Sequence, residues 1–213
     1  GALQDPAVVA LAAIFILSPF FTAYFNPEPL IYADRFIPGM TMYDALAQAA
    51  VNAITLIPFV AAYGLINNDE RRWQVIIILI TAALAYSVLM LIEVRLSPQL
   101  HRMVYGFFPH SFGQQMRAGG FRPVVFLGHG LLVAIFCAMA AAAAVARWRE
   151  ARGRQRTRAS LIALYFGVLL VLCKSVGATI LAAVFVPLVA FLRARQVAMI
   201  AAAACIMMLL YPA

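Results

Sequence analysis

The sequence predicts an all-α protein, a polytopic transmembrane helical bundle with about seven spans in a single domain covering residues 1–213, and three observations carry that expectation. The chain is 65% hydrophobic and 11% charged, with a mean hydropathy of +0.93, far from the roughly 45–50% apolar and about 25% charged make-up of soluble domains. Seven apolar stretches approach the length a helix needs to cross the hydrocarbon core. The charged residues gather in the short connections between those stretches, as in multi-pass membrane proteins.

The first span is read over residues 7–25 and the second over 45–66, with Pro19 and Pro58 inside them as expected kinks. Between them NPEPLIYADRFIPGMTMYD, rich in proline, predicts an irregular surface connection. After the polar turn NNDERRW a third span covers 74–92 and ends at Glu93. A fourth runs from Val124 to Ala146 and is followed by the basic loop RWREARGRQRTR. Residues 159–173 and 176–192 form a fifth and a sixth span, joined at Lys174 and Ser175 as a tight helical hairpin. The seventh covers 196–211.

The alanine tracts at 140–144 and 201–204 predict small-residue faces that let helices approach closely. The chain opens on GALQDP without an initiator Met and closes on YPA directly after an apolar run, so it is read as a piece of a longer protein.

The net charge of +8 does not point to nucleic acid, because the basic residues lie in short loops between apolar runs rather than on a solvated face. Cys137, Cys173 and Cys205 all fall inside apolar runs and imply neither a disulfide nor a zinc site. No pair of histidines has zinc-like spacing backed by a third ligand.

Placing RWREARGRQRTR in the cytoplasm puts ten basic residues inside and six outside, the six being Arg35, Arg95, Arg102, Arg117, Arg122 and Lys174. Four of the six lie between Arg95 and Arg122 with no acid among them, within residues 93–130, which also hold all three histidines. Positive charge is sparse on that face of a membrane, so this excess asks for an anionic partner.

Arg117 and Arg122 bracket AGG immediately before the fourth span. Guanidinium forks match phosphate oxygens bidentately and are less strongly hydrated than ammonium, which suits a diphosphate held at a membrane surface. Gly119 and Gly120 would let backbone come close to such a ligand. The plainer alternative is that both arginines anchor the span by snorkelling to headgroups. Arg95 and Arg102 add to the cluster and favour binding, so Arg95, Arg117, Arg122 and Lys174 are read as diphosphate ligands.

Lys174 stands at a hairpin tip where any polar residue would serve, and the helix starting near Val176 points its positive end at the same place. His129 is read either as a general base or as a hydrogen-bond donor to a sugar, against the blander role of a structural histidine. Glu93 is read as a partner of Arg95 or a neighbouring arginine, with proton acceptance as the alternative. Asp34 and Asp44 are read as turn and cap residues. Tyr105, Phe107, Phe108 and Phe112 suit either an interfacial belt or a platform for sugar rings or a polyprenyl chain.

The order of these features resembles the O-antigen ligase and polysaccharide polymerase superfamily of bacterial inner membranes. The resemblance rests on RFIPGMTMYDALAQAAVN followed by LIPF, on Arg122 followed by PVVFLGHG, and on KSVGATILAAV, and it spans about Arg35 to Leu192. It implies a metal-independent glycosyltransferase with no cofactor, which moves a glycan from undecaprenyl diphosphate to lipid A-core or to another glycan chain at the periplasmic face. Arginines would bind the diphosphate, with Arg122, Lys174 and His129 as the catalytic group. A periplasmic loop and further spans would follow the last residue. The competing expectation is a transporter or flippase for an anionic lipid-linked or small substrate, which would use the same cations without chemistry.

Overall fold

The computed structural model describes residues 5–32, 35–117 and 119–210, and Asp34 lies outside them. Among the described residues eight α-helices account for most of the chain, and two short hairpins are its only strands. Contacts group the chain into two compact units, residues 1–73 and 74–213, with the boundary inside one helix.

The first unit pairs α1 (Pro6–Phe25) with α2 (Met42–Leu65). Asp5 caps α1, its carboxylate accepting from the Ala7 N–H, with Pro6 at the first helical position. Pro19 leaves the Phe15 carbonyl without its helical donor. The Asn52 amide of α2 supplies one at 2.8 Å and the Ser18 hydroxyl another at 3.0 Å, so the proline that interrupts α1 also ties it to α2.

The connection between the helices is more regular than its prolines suggest. β1 (Leu30–Tyr32) and β2 (Arg35–Ile37) form an antiparallel hairpin, because LIY and RFI are strong strand formers between proline-rich flanks. Asp44 is the cap residue expected of it: Thr41 and Asp44 form a reciprocal capping box at the start of α2. The polar turn read over NNDERRW is shorter than expected. α3 (Asp69–Leu96) already starts at Asp69, since Asn68 accepts from the Arg71 N–H and the acids Asp69 and Glu70 suit a helix N-terminus.

The second unit is built around α5 (Gly130–Glu150), which packs against both α6 (Gly153–Leu172) and α7 (Val176–Phe191). Ala140, Ala141, Ala143 and Ala144 are buried there, as the first alanine tract predicts. The second tract, on α8 (Ala194–Leu210), is largely exposed instead. α3 joins this core through Ile80, Ala83 and Met90, a 2.7 Å hydrogen bond between the hydroxyls of Ser87 and Tyr165, and a T-shaped contact of Tyr86 with Phe136.

Two boundaries differ from expectation for physical reasons. Residues 124–128 are not helical: Val125 and Gly128 take left-handed backbone conformations (φ 46° and 76°), so α5, the helix of the fourth span, starts at Gly130 and His129 is its N-cap rather than a residue inside it. The basic loop is mostly helix, because arginine is a good helix former. α5 runs through Glu150 and α6 starts at Gly153, leaving only Ala151 and Arg152 between them.

Five helices, α1, α2, α3, α5 and α6, are long and apolar enough to cross a membrane. α7 and α8 are apolar but shorter, at 16 and 17 residues. At 1.5 Å per residue α7 reaches only about 24 Å, against a hydrocarbon core of about 30 Å.

Candidate ligand site where α5 and α7 begin

The end of the second unit where α3 and α6 finish and α5 and α7 begin is organised by a buried carboxylate. Glu93 is fully buried, and its oxygens accept three backbone N–H bonds, from Leu100 at 2.9 Å, Val124 at 2.8 Å and Val125 at 2.7 Å. The expected ion pair with Arg95 does not form. Two residues apart on a helix, the side chains leave on different faces, and Arg95 is exposed. Glu93 instead fixes the segment that leads from β4 (Gly120–Phe121) to α5, and with it the position of Arg122.

Arg122 is 4% exposed. Its backbone N–H donates to the Gln115 carbonyl at 2.8 Å, and its Nη2 donates to the Ser175 hydroxyl at 3.2 Å. The head of the fourth span and the tip of the hairpin between α6 and α7 are therefore neighbours. Gly130 is what makes room for the side chain, because a Cβ there would stand 2.8 Å from Arg122 Cγ and Nε. No carboxylate pairs with this guanidinium; among the described residues the one ion pair is Arg72–Asp69, in the other unit. Burial first, and then the nearby Arg117 charge, lower the Arg122 pKa from its ordinary value.

Lys174 caps the turn in a left-handed conformation (φ 50°), where glycine is the usual occupant. Its ammonium donates to the Arg117 carbonyl at 3.0 Å and lies against Gly120, where a Cβ would collide with it. Gly120 thus serves the approach of Lys174. Arg117, Lys174, Ser175 and Thr179 line an open groove of about 400 Å³ whose other wall, Val171, Val176 and Ile180, is apolar. Arg117 belongs to the β3 (Met116–Arg117) hairpin with β4, is exposed, and reaches this groove. Arg95 and Arg102 are exposed on α3 and on α4 (Leu100–Tyr105), and no described contact links them to Arg122.

The histidines separate cleanly. His101 is buried, shares a 3.0 Å hydrogen bond with the Phe107 carbonyl and packs on Tyr105 and Phe107, which gives those aromatics a structural task. His129 and His110 meet edge to face with ring centroids 4.7 Å apart. No third His, Cys, Asp or Glu groups with them among the described residues.

The Nδ1 of His129 accepts from the Leu131 N–H at 3.0 Å, so the proton of the neutral ring sits on Nε2. Burial, then His110, Arg122 and Arg117, lower the His129 pKa and favour that neutral form. In that tautomer Nε2 carries an N–H that can donate, while Nδ1 is taken by the Leu131 amide.

Gln115 carried no signal in the sequence, where it sits in a polar run and reads as solvated. It is fully buried at the end of a single 3-10 turn, Phe112–Gln115, and among the described residues both its amide atoms lack a partner, as does Nε of Arg122. These three buried polar atoms lie on two residues joined by a backbone hydrogen bond, so the shortfall is concentrated at one place. Compared with family models, curated proteins and solved structures, the chain gives no match.

Proposed function

We propose that the chain is part of a lipid-linked glycan transferase of the O-antigen ligase and polysaccharide polymerase type, with about seven spans in this part and its site at the periplasmic face of the bacterial inner membrane. The donor is a glycan on undecaprenyl diphosphate, and the acceptor is lipid A-core or another glycan chain. The observation that carries the reading is Arg122, a buried cation with no carboxylate partner among the described residues, which donates to Ser175, a residue that lines a half-apolar groove together with Lys174 and Arg117.

In this reading the acceptor hydroxyl oxygen bonds to the anomeric carbon while the bond from that carbon to the diphosphate oxygen breaks, and the hydroxyl proton ends on the departing diphosphate. Arg122, Lys174 and Arg117 stabilise the charge that grows on the leaving diphosphate, in a site built before the ligand arrives. The apolar wall of Val171, Val176 and Ile180 suits the first units of the polyprenyl chain. His129 acts as a neutral donor, and Gln115 offers amide groups to glycan hydroxyls. Glu93 is committed to three backbone amides. A carrier for the same anion would gather its cations at the middle of discontinuous helices, whereas here they stand at helix ends.

The test is transfer of labelled glycan from undecaprenyl diphosphate by the full-length protein. Arg122→Lys keeps the charge but loses the fork and the Ser175 bond, so transfer falls roughly ten-fold or more. Lys174→Arg retains most of it. Undiminished transfer by Arg122→Ala would remove the reading.

A further inference from the structure

The opposite end of the second unit carries a groove that glycan transfer does not use. About 310 Å³ in volume, it opens between α3, α5 and α6, with Arg147, Gln155 and Arg158 toward the helix ends and Ile80, Leu84 and Ile162 further along the helices. Six arginines stand between residues 147 and 158 against one acid, Glu150, which does not line the groove.

Two of those arginines have evident structural tasks. Arg149 donates to the Val189 and Leu192 carbonyls at the C-terminus of α7, and Arg156 lies over the Trp148 ring with 4.5 Å to the centroid. Arg147 donates to the Gln155 side chain at 2.9 Å, which orients both at the groove mouth. Arg158 is exposed and makes no hydrogen bond among the described residues. An apolar cleft capped by two guanidiniums with no acid in its lining is complementary to one kind of molecule: a phosphodiester on an acyl chain.

We propose that this groove is a binding site for an anionic glycerophospholipid, with the headgroup phosphate between Arg147 and Arg158 and one acyl chain along Ile80, Leu84 and Ile162. The site rests on the helices lying in a membrane and not on glycan transfer, so it can fail while the Arg122 site holds. Guanidiniums near a membrane surface contribute about 1 kcal/mol each toward anionic lipid, which is roughly a five-fold preference per arginine. Phosphatidylcholine carries the same phosphate with a compensating cation, so it is the matched competitor.

The experiment is native mass spectrometry of the delipidated full chain in detergent micelles with equal amounts of phosphatidylglycerol and phosphatidylcholine of identical acyl chains. Wild type retains phosphatidylglycerol about five-fold or more over phosphatidylcholine. Arg158→Gln, which disturbs no described hydrogen bond, lowers that preference several-fold, and Arg147→Gln with Arg158→Gln abolishes it. Arg152→Gln with Arg154→Gln removes the same charge outside the groove and leaves the preference intact. Equal retention of the two lipids by wild type would overturn the proposal. So would an equal fall in the Arg152 and Arg154 double variant, which would reduce the effect to net charge.

Discussion

The two ends of the second unit are both rich in arginine, yet they hold it in opposite ways. Around Arg147 to Arg158 the guanidiniums are mostly exposed, and those with partners cap a helix, stack on a ring or bridge to a glutamine. At the other end Arg122 is buried beside a buried serine, with unpartnered polar atoms on it and on Gln115, and the nearest structural acid is already saturated. Exposed arginine beside a membrane follows from topology alone, whereas a buried arginine without a carboxylate must be held in place by something else. The difference separates a buried arginine held by its surroundings from arginines exposed at helix ends, and it rests on Glu93, Gly130 and Ser175 rather than on the number of arginines.

The largest effect expected is on the element that builds the buried end. Glu93→Leu strands three buried N–H groups and should destabilise the protein by roughly 3 kcal/mol or more, read as a lower midpoint of thermal unfolding in detergent. Glu93→Gln, which keeps one acceptor oxygen, should fall between that variant and wild type. A small loss for Glu93→Leu would mean that the segment before α5 is fixed by other contacts. Gly130→Ala comes next. Its methyl group would meet the Arg122 side chain, so about 1–3 kcal/mol of overpacking accompanies a displaced guanidinium and reduced transfer. At the exposed end, Arg149→Ala should cost about 1–2 kcal/mol through the lost cap on α7 and leave transfer by the remaining folded protein unchanged.

The pH dependence sharpens the same contrast. Because the folded pKa of His129 lies below its unfolded value, the unfolded chain binds more protons as pH falls through the region of 6.5. The stability linked to the neutral ring is therefore present above the unfolded pKa and lost as pH drops toward the folded one. Transfer should decline on the acid side with a midpoint below 6.5. His129→Asn keeps both an acceptor for the Leu131 N–H and an N–H donor, so it should retain activity without that acid limb. His129→Asp keeps the cap and lacks the donor, so it should lose activity.

Much of the fold was legible in the sequence because apolar runs and their charged breaks are dictated by composition. Each of the seven stretches corresponds to a helix, and the turn at Lys174 and Ser175 stands where it was read. Boundaries were less legible where helix propensity and charge disagree. Arginines at 147–158 looked like a loop but are good helix formers, and Val124 to Gly128 looked helical but is pinned by a carboxylate thirty residues earlier.

At the site, Arg122 and Lys174 could be read because unusual residues stood at the heads of apolar runs, whereas Ser175 was read only as part of the turn. Gln115 and the three amides on Glu93 could not, since burial of a loop glutamine and long-range amide partners leave no periodic trace. Arg95, grouped with the others by proximity in sequence, is exposed and has no described contact with them, because side-chain direction on a helix is set by its angle and not by distance along the chain.

The central claim is that burial makes Arg122 a phosphate ligand while the exposed arginines at the other end do not bind the same molecule. It is tested most directly by the affinity of the purified full-length protein for undecaprenyl diphosphate in detergent. Arg122→Gln should weaken binding roughly ten-fold or more, as expected for the loss of charge-assisted hydrogen bonds to the diphosphate. Arg147→Gln with Arg158→Gln should leave the affinity within about two-fold, which is the scatter expected for distant, independent sites. Equal weakening by the two variants, or none from Arg122→Gln, would contradict the account.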